Sequence, residues 1–266
     1  MSDERHPDGG VSVEQDGAIL KIGLDRPEKY NGLTPKMMRE LGDAYTRLDE
    51  EPGLWVGVLF GHGPHFTAGL DLPKWTEGMR SGRRRDRDSS ERVDPFALGR
   101  ACRKPIVTAV HGITYTAGIE MMLAGDIVVA ADNARFCQME AKRGIAPLGG
   151  AHFRFLSRTG WGNAMYHLML CDEFDAARAL QIGLVQEVVP LGRQVERGLE
   201  LARLIAANAP LGIQVTKEAA LRYCAAAEAE ACAMLPEIRA RVLASEDAKE
   251  GIRSFVERRP AKFQGR

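Results

Sequence analysis

Apolar residues in the first half of the chain fall into short runs separated by turn residues. In the second half they recur at helical spacing. Val11–Val13 and Ile19–Leu24 flank the turn Gln15-Asp16-Gly17 and predict a pair of strands. Thr34 followed by Pro35 has the signature of a helix N-cap and first turn. The helix predicted over 35–48 gathers Met37, Met38, Leu41, Tyr45 and Leu48 near one face. Trp55–Phe60, Ile106–Val110 and Ile127–Ala131 are apolar runs of strand length, and Gly118–Leu123 reads as a helix between the last two. Alternation of this kind predicts an α/β core built as a stack of β-β-α units.

From Phe153 onward the pattern is helical, apart from one strand-like piece at Val185–Val189. Helices are predicted over 192–207, over an Ala-rich stretch 211–243 interrupted near Pro236, and over 246–257. The implied division is a disordered tail at 1–10, a core at 11–200 and a C-terminal helical region at 201–266. That last region has surface to pack against the core or another subunit. Glu77–Arg92 contains the polar run SGRRRDRDSSER. It reads as a solvated loop, or as a flap whose arginines attract a phosphate-bearing ligand.

The chain has 266 residues, with 36 basic and 36 acidic side chains. Zero net charge argues against a dedicated nucleic-acid binder or a polybasic membrane binder. No apolar run approaches the roughly 20 residues of a membrane span. The polar start MSDERHPDGG lacks the features of a secretory signal, so a cytoplasmic setting is expected. Cys102, Cys137, Cys171, Cys224 and Cys232 are scattered without a CxxC pair and read as free thiols; no metal site is expected.

Two stretches carry candidate chemistry. In His65-Phe66-Thr67-Ala68-Gly69-Leu70-Asp71-Leu72 a turn follows a strand, and Leu70 is read as the start of a helix. The stretch from His111 to Gly118 repeats that plan after the strand Ile106–Val110. Small residues at Ala68, Gly69, Ala117 and Gly118 leave main chain open to a ligand. Unpaired N–H groups at two such turns would form an oxyanion hole if they converge. Glu120 and Glu140 follow, and paired carboxylates suit general acid–base work, although nothing in the spacing brings them together. His62 and His65 lack the carboxylate of a metalloprotease motif and read as turn histidines.

Together these stretches resemble the enoyl-CoA hydratase/isomerase (crotonase) family. The similarity begins at Leu24-Asp25-Arg26-Pro27-Glu28-Lys29-Tyr30-Asn31-Gly32-Leu33 and continues through Phe66–Leu72, Lys104-Pro105, His111-Gly112 and Ala117-Gly118-Ile119-Glu120. It extends through Phe136–Glu140, Gly144-Ile145-Ala146-Pro147, Gly183-Leu184-Val185 and the ending Phe255–Pro260. The resemblance implies a crotonase-like spiral with a C-terminal trimerisation region, forming a homotrimer or dimer of trimers. It implies an acyl-CoA substrate, with no cofactor beyond the coenzyme A of the substrate. Leu70 and Ala117 would supply the oxyanion hole. Arg26, Lys29, Tyr30, Ala68, Gly69, Asp71, Leu72 and Gly118 would lie along the substrate. Glu120 and Glu140 would hold water and move protons, giving hydration of a 2,3-double bond.

Three departures from the family pattern stand out: Thr116-Ala117-Gly118 in place of three glycines, Met139 in place of a proline, and Leu148 in place of a glycine near the water. Leu148 would crowd the acyl end. Two alternatives therefore stay open: another acyl-CoA reaction of the family (isomerisation, hydrolysis or C–C cleavage), or a non-catalytic CoA-ester-binding subunit.

Overall fold

The computed structural model describes residues 6–75 and 91–265. Most of the arginine-rich stretch therefore lies outside the described residues. Strands β1 (Gly10–Asp16) and β2 (Ile19–Asp25) form an antiparallel hairpin. From β2 onward the main sheet is parallel, through β3 (Val56–Gly61), β4 (Ile106–Val110), β6 (Ile127–Ala131) and β9 (Glu187–Val189). Its central strands are continuous apolar runs because both faces are covered. Side-chain alternation sends Leu20, Ile22, Leu24 and Leu59 to one face, with Met37, Leu41, Tyr45 and Leu48 of α1 (Pro35–Glu50). Ile19, Val56, Val58, Val107 and Val129 point to the other, where Ala202 of α5 (Gln194–Ala206) packs. Thr34 caps α1 as expected, its hydroxyl accepting the Met37 N–H at 3.2 Å.

A second sheet, not expected from the sequence, joins β5 (Ile113–Tyr115), β7 (Arg135–Cys137) and β8 (Phe174–Asp175). Its strands are too short for alternation to show, and their partners are distant in sequence. Between and after them come α2 (Ala117–Ala124), α3 (Ala151–Leu170), which kinks at Gly160, and α4 (Ala176–Gln181). The strand expected at Val185–Val189 shortens, since Val185 is buried in the turn after α4 with its N–H on the Ala179 carbonyl.

The C-terminal helices are α6 (Pro210–Ala233), α7 (Leu235–Leu243) and α8 (Glu246–Val256). Pro236 falls in the first turn of α7 and so accounts for the break. Two expected boundaries move. Residues 6–10 were read as tail, yet the Pro7 and Asp8 carbonyls accept hydrogen bonds from Arg26 and Thr34. Residue 201 falls inside α5, so the helices that leave the sheet begin at Pro210. Helix α8 returns to the turn that follows Glu140, with the Arg143 guanidinium 4.6 Å from the centre of the Phe255 ring. Among the described residues no helix is long and apolar enough to cross a membrane.

The segment 91–103 is tied to α1 through Asp49, whose carboxylate accepts the Arg103 backbone N–H at 2.7 Å and the Arg100 guanidinium at 2.8 Å. Asp49 is buried, while both arginines reach solvent. Breaking such a cluster is expected to cost about 2–3 kcal/mol, less than a fully buried pair. Chemical denaturation of Asp49→Ala should show a loss of that size; a loss below about 0.5 kcal/mol would contradict the role given to this cluster.

Candidate active site

The site is built where two turns are bonded like neighbouring strands. The Thr67 N–H donates to the Ile113 carbonyl at 3.1 Å, and the Tyr115 N–H donates to the Thr67 carbonyl at 3.0 Å. Thr67 and Thr114 thus form a parallel bridge. Leu70 and Ala117 each follow their bridge residue by three positions. On the outer side, the Leu33 N–H donates to the Gly69 carbonyl at 2.8 Å and the Asp71 N–H donates to the Leu33 carbonyl at 3.0 Å. These bonds leave the Leu70 N–H without an acceptor among the described residues. Ala117 opens α2, so its N–H is one of the helix's unpaired donors. The helix expected to begin at Leu70 begins instead at residue 72, because Leu70 is engaged in a bridge with Leu33.

The two turns touch at Gly69 and Thr116. Gly69 has φ 96°, and a Cβ there would lie 1.8 Å from the Thr116 hydroxyl. Only glycine fits, on both conformation and space. Thr116 itself holds φ 48°, a costly conformation for a β-branched residue and one typical of functional turns.

Glu120 projects from the first turn of α2 and is 5% exposed. Its Oε1 accepts the N–H groups of Gly149 at 2.7 Å and Ala151 at 3.3 Å. Residue 149 must be glycine for this approach, since a Cβ would sit 2.5 Å from Glu120 Oε2. Glu140, 7% exposed, follows β7. Gln138 donates its amide to Glu140 Oε1 at 2.9 Å, while Oε2 is buried without a partner among the described residues. Burial raises the proton affinity of both carboxyls. For Glu120 the Ala151 and Gly149 N–H groups and the charge of Arg154 pull the other way. For Glu140 the charge of Glu120 adds to the rise. The two glutamates therefore share one buried site, which their spacing in the chain did not indicate.

The expected substrate residues divide. Lys29, Tyr30 and Ala68 are exposed, with Tyr30 stacked on His65 at 5.0 Å between ring centres. Leu72 and Leu148 are half-buried. Gly118 is buried against Thr67. Arg26, expected along the substrate, is engaged within the protein. It is buried, with its guanidinium donating to Asp71 at 2.6 Å, the Gly32 carbonyl at 3.0 Å and the Pro7 carbonyl at 3.1 Å. Arg26 and Asp71 thus occupy each other and brace the turn before α1. His65 accepts the Ile113 N–H at 3.1 Å, in keeping with a turn role. Among the described residues no group of three His, Cys, Asp or Glu side chains is placed to hold a metal.

The family profile for enoyl-CoA hydratase/isomerase matches residues 14–266. Enoyl-CoA hydratase EchA19 of Mycobacterium tuberculosis is 34% identical over 255 residues, covering 96% of both chains. A crystal structure of a probable enoyl-CoA hydratase/isomerase from Mycobacterium abscessus is 41% identical, with TM-score 0.77, covering 96% of this chain and 98% of the other. A carnitinyl-CoA hydratase from Mycobacterium avium is 31% identical, with TM-score 0.86 and the same coverage. The chain belongs to the enoyl-CoA hydratase/isomerase (crotonase) family.

Four residues of this crotonase site were not singled out from the sequence. Gln138 holds Glu140. Phe96 and Leu98 wall the turn that carries Glu120's N–H donors. The Phe96 ring lies 3.0 Å from where a Gly149 Cβ would be, and Leu98 lies 3.4 Å from that of Gly150. Arg154 is buried beneath the same turn. Its signal was available as a lone charge inside the apolar run Phe153-Arg154-Phe155-Leu156.

The buried pair makes stability depend on pH. Glu140 binds its proton more tightly in the folded chain than in the unfolded one. Its contribution to stability is therefore full at low pH and is lost as pH rises through the folded-state value. Glu140→Gln removes this cost. The variant should be more stable than the parent at pH 9, by about 1 kcal/mol or more, with the gap closing at pH 5. Urea denaturation at the two pH values measures it; equal stability of the two chains at pH 9 would contradict the burial argument.

Proposed function

We propose that this crotonase-family protein hydrates the 2,3-double bond of an enoyl-CoA thioester. The observation that supports the reading is the pair of buried, unequally solvated glutamates behind two turns with unpaired N–H groups. The Leu70 and Ala117 N–H groups receive the thioester oxygen and stabilise it as it gains enolate character. A donor of this kind is worth roughly 3 kcal/mol in the transition state. Glu120, as carboxylate, takes a proton from the water that attacks C3. Glu140, as neutral acid, gives its proton to C2 on the same face, so addition is syn. Afterwards the pair again holds one proton, and its return from Glu120 to Glu140 resets the site. The reaction needs no cofactor beyond the coenzyme A carried by the substrate. Along that substrate the exposed set Lys29, Tyr30 and Ala68 meets the CoA portion, and Leu148, Phe96 and Leu98 bound the acyl end.

Helix α6 leaves Leu211, Val215 and Tyr223 exposed, with Tyr223 at 91%. That unpartnered helical surface supports a homotrimer or dimer of trimers, as the family resemblance implies. Leu148, where the family pattern has a glycine, favours a second reading, a different acyl-CoA reaction such as double-bond migration, because a larger side chain at that position would narrow the space for water.

Loss of the enoyl-thioester absorbance of crotonyl-CoA tests the main reading. Glu120→Gln and Glu140→Gln should each lower kcat by roughly 10²–10⁴ with little change in KM. Full activity in Glu140→Gln would refute the assigned roles. The parent's rate should fall on the acid side as Glu120 gains a proton and on the alkaline side as Glu140 loses one. Leu148→Gly should raise kcat/KM for longer enoyl-CoA chains relative to crotonyl-CoA. Mass spectrometry across a panel of acyl-CoA esters would reveal isomerised rather than hydrated product under the second reading.

A further inference from the structure

The proposed reaction requires the Glu140 carboxyl to point at a carbon atom, yet little within its own segment holds it still. Its Oε1 takes one amide N–H from Gln138, two residues back, and its Oε2 is buried without a partner among the described residues. The family pattern has a proline immediately before this glutamate, which would fix the backbone torsion there. This chain has Met139 instead.

A restraint of another kind lies at Cys171, which ends α3 with φ 53° and ψ 31°, the left-handed cap that glycine usually takes. Cysteine adopts that conformation at a cost, and here it is 2% exposed, so its side chain is committed to the interior. The chain that carries Glu140 meets this residue twice. Before Glu140, the Cys137 thiol at the end of β7 donates to the Cys171 carbonyl at 3.1 Å. After Glu140, the main-chain N–H groups of Ala141 and Lys142 face the Cys171 sulfur. They open the turn that Glu140 begins and have no main-chain acceptor among the described residues. Burial keeps both thiols protonated, so each has a hydrogen to give. The Cys171 S–H donates to the Leu168 carbonyl at 3.4 Å, which leaves the sulfur's lone pairs for the turn.

We infer that Cys171 is a positioning residue for Glu140, holding residues 137 and 141–142 from one buried point and supplying the restraint that a proline at position 139 would otherwise give. The placement of the contacts carries this. They fall on either side of Gln138 and Glu140, so they fix the path of the main chain between them. A glycine would cap α3 without backbone cost, so the buried side chain at 171 has a use beyond the cap. The Met139 N–H has no main-chain acceptor among the described residues, so a covalent restraint at that position is compatible with the same path. Lys142 and Asp172 join the same two segments at 3.2 Å, but both are exposed and such pairs hold weakly.

The inference rests on the proposed role of Glu140 for its catalytic meaning, but its first readout needs no substrate. Infrared difference spectra of the full-length protein, with Glu140→Gln assigning the band, report the C=O stretch of the protonated Glu140 carboxyl and its bond to Gln138. Cys171→Gly leaves an unstrained left-handed cap and removes the sulfur; it should shift or broaden the Glu140 band. Cys137→Ala removes the other contact and should move the band in the same sense. Cys171→Ser keeps a polar acceptor and should hold the band near the parent's. Adding Met139→Pro to Cys171→Gly should bring the band back. Lys142→Met breaks only the surface ion pair and should leave the band in place. If crotonyl-CoA is hydrated, Cys171→Gly should lower kcat about tenfold or more with KM within about twofold of the parent's, because a small displacement of a reacting group is costly. Cys171→Ser and the Cys171→Gly, Met139→Pro double variant should recover most of that loss.

A folded Cys171→Gly or Cys137→Ala variant with the parent's Glu140 band would overturn the inference. So would an equal shift in Lys142→Met, or a shift that neither Cys171→Ser nor Met139→Pro reverses. A band that shifts and recovers as described, in a protein that hydrates nothing, would refute the proposed reaction and leave the positioning role standing.

Discussion

Everything in the site hangs on one short piece of parallel backbone pairing, the bridge between Thr67 and Thr114. Two hydrogen bonds, one on either side of it, fix the turns 67–70 and 114–117 in register. Register then decides which N–H groups are consumed and which are left over. The flanking bonds from Leu33 and to Cys137 use up the neighbours of Leu70 and Ala117, so the two unpaired donors are by-products of a satisfied network. Gly69 is part of the same constraint. With any side chain at that position the turns would be forced apart where Thr116 meets Gly69.

The carboxyl pair shows the opposite economy. Burying two glutamates in one site is unfavourable to folding, and the chain offsets it only in part. Glu120 receives two N–H groups and a nearby cation, Glu140 a single amide. The deficit at Glu140, together with burial and the charge of Glu120, raises its proton affinity, whereas a well-solvated carboxyl would be fully ionised near neutral pH. Helix α8 packs on the turn after Glu140, so the C-terminal region braces the segment that carries this carboxyl.

Much of the fold was legible in the sequence for a simple reason. Parallel strands buried on both faces are uninterrupted apolar runs, and Ile106–Val110 and Ile127–Ala131 have the bounds that their runs predict. The N-cap at Thr34 and the break near Pro236 were legible because each has a local chemical cause. The second sheet was not, since strands of two or three residues carry no periodicity. Leu70 was misplaced in a helix because its partner, Leu33, is far away in the chain. Arg26 was expected along the substrate because sequence alone gives no direction to a side chain, and here it turns inward to Asp71. The meeting of Glu120 with Glu140 is a tertiary fact that only the family resemblance anticipated. Gln138, Phe96 and Leu98 surround that meeting and were invisible for the same reason, whereas Arg154 showed only as a lone charge in an apolar run.

The central claim is that the two bare N–H groups and the two glutamates face one substrate position. A crystal structure with a bound, unreactive acyl-CoA thioester tests it most directly. The thioester oxygen is expected about 3 Å from both the Leu70 and Ala117 nitrogens, with the Glu120 and Glu140 carboxyls both beside the C2–C3 bond. A thioester bound with its oxygen away from those nitrogens, or with either carboxyl turned from C2–C3, would contradict the account.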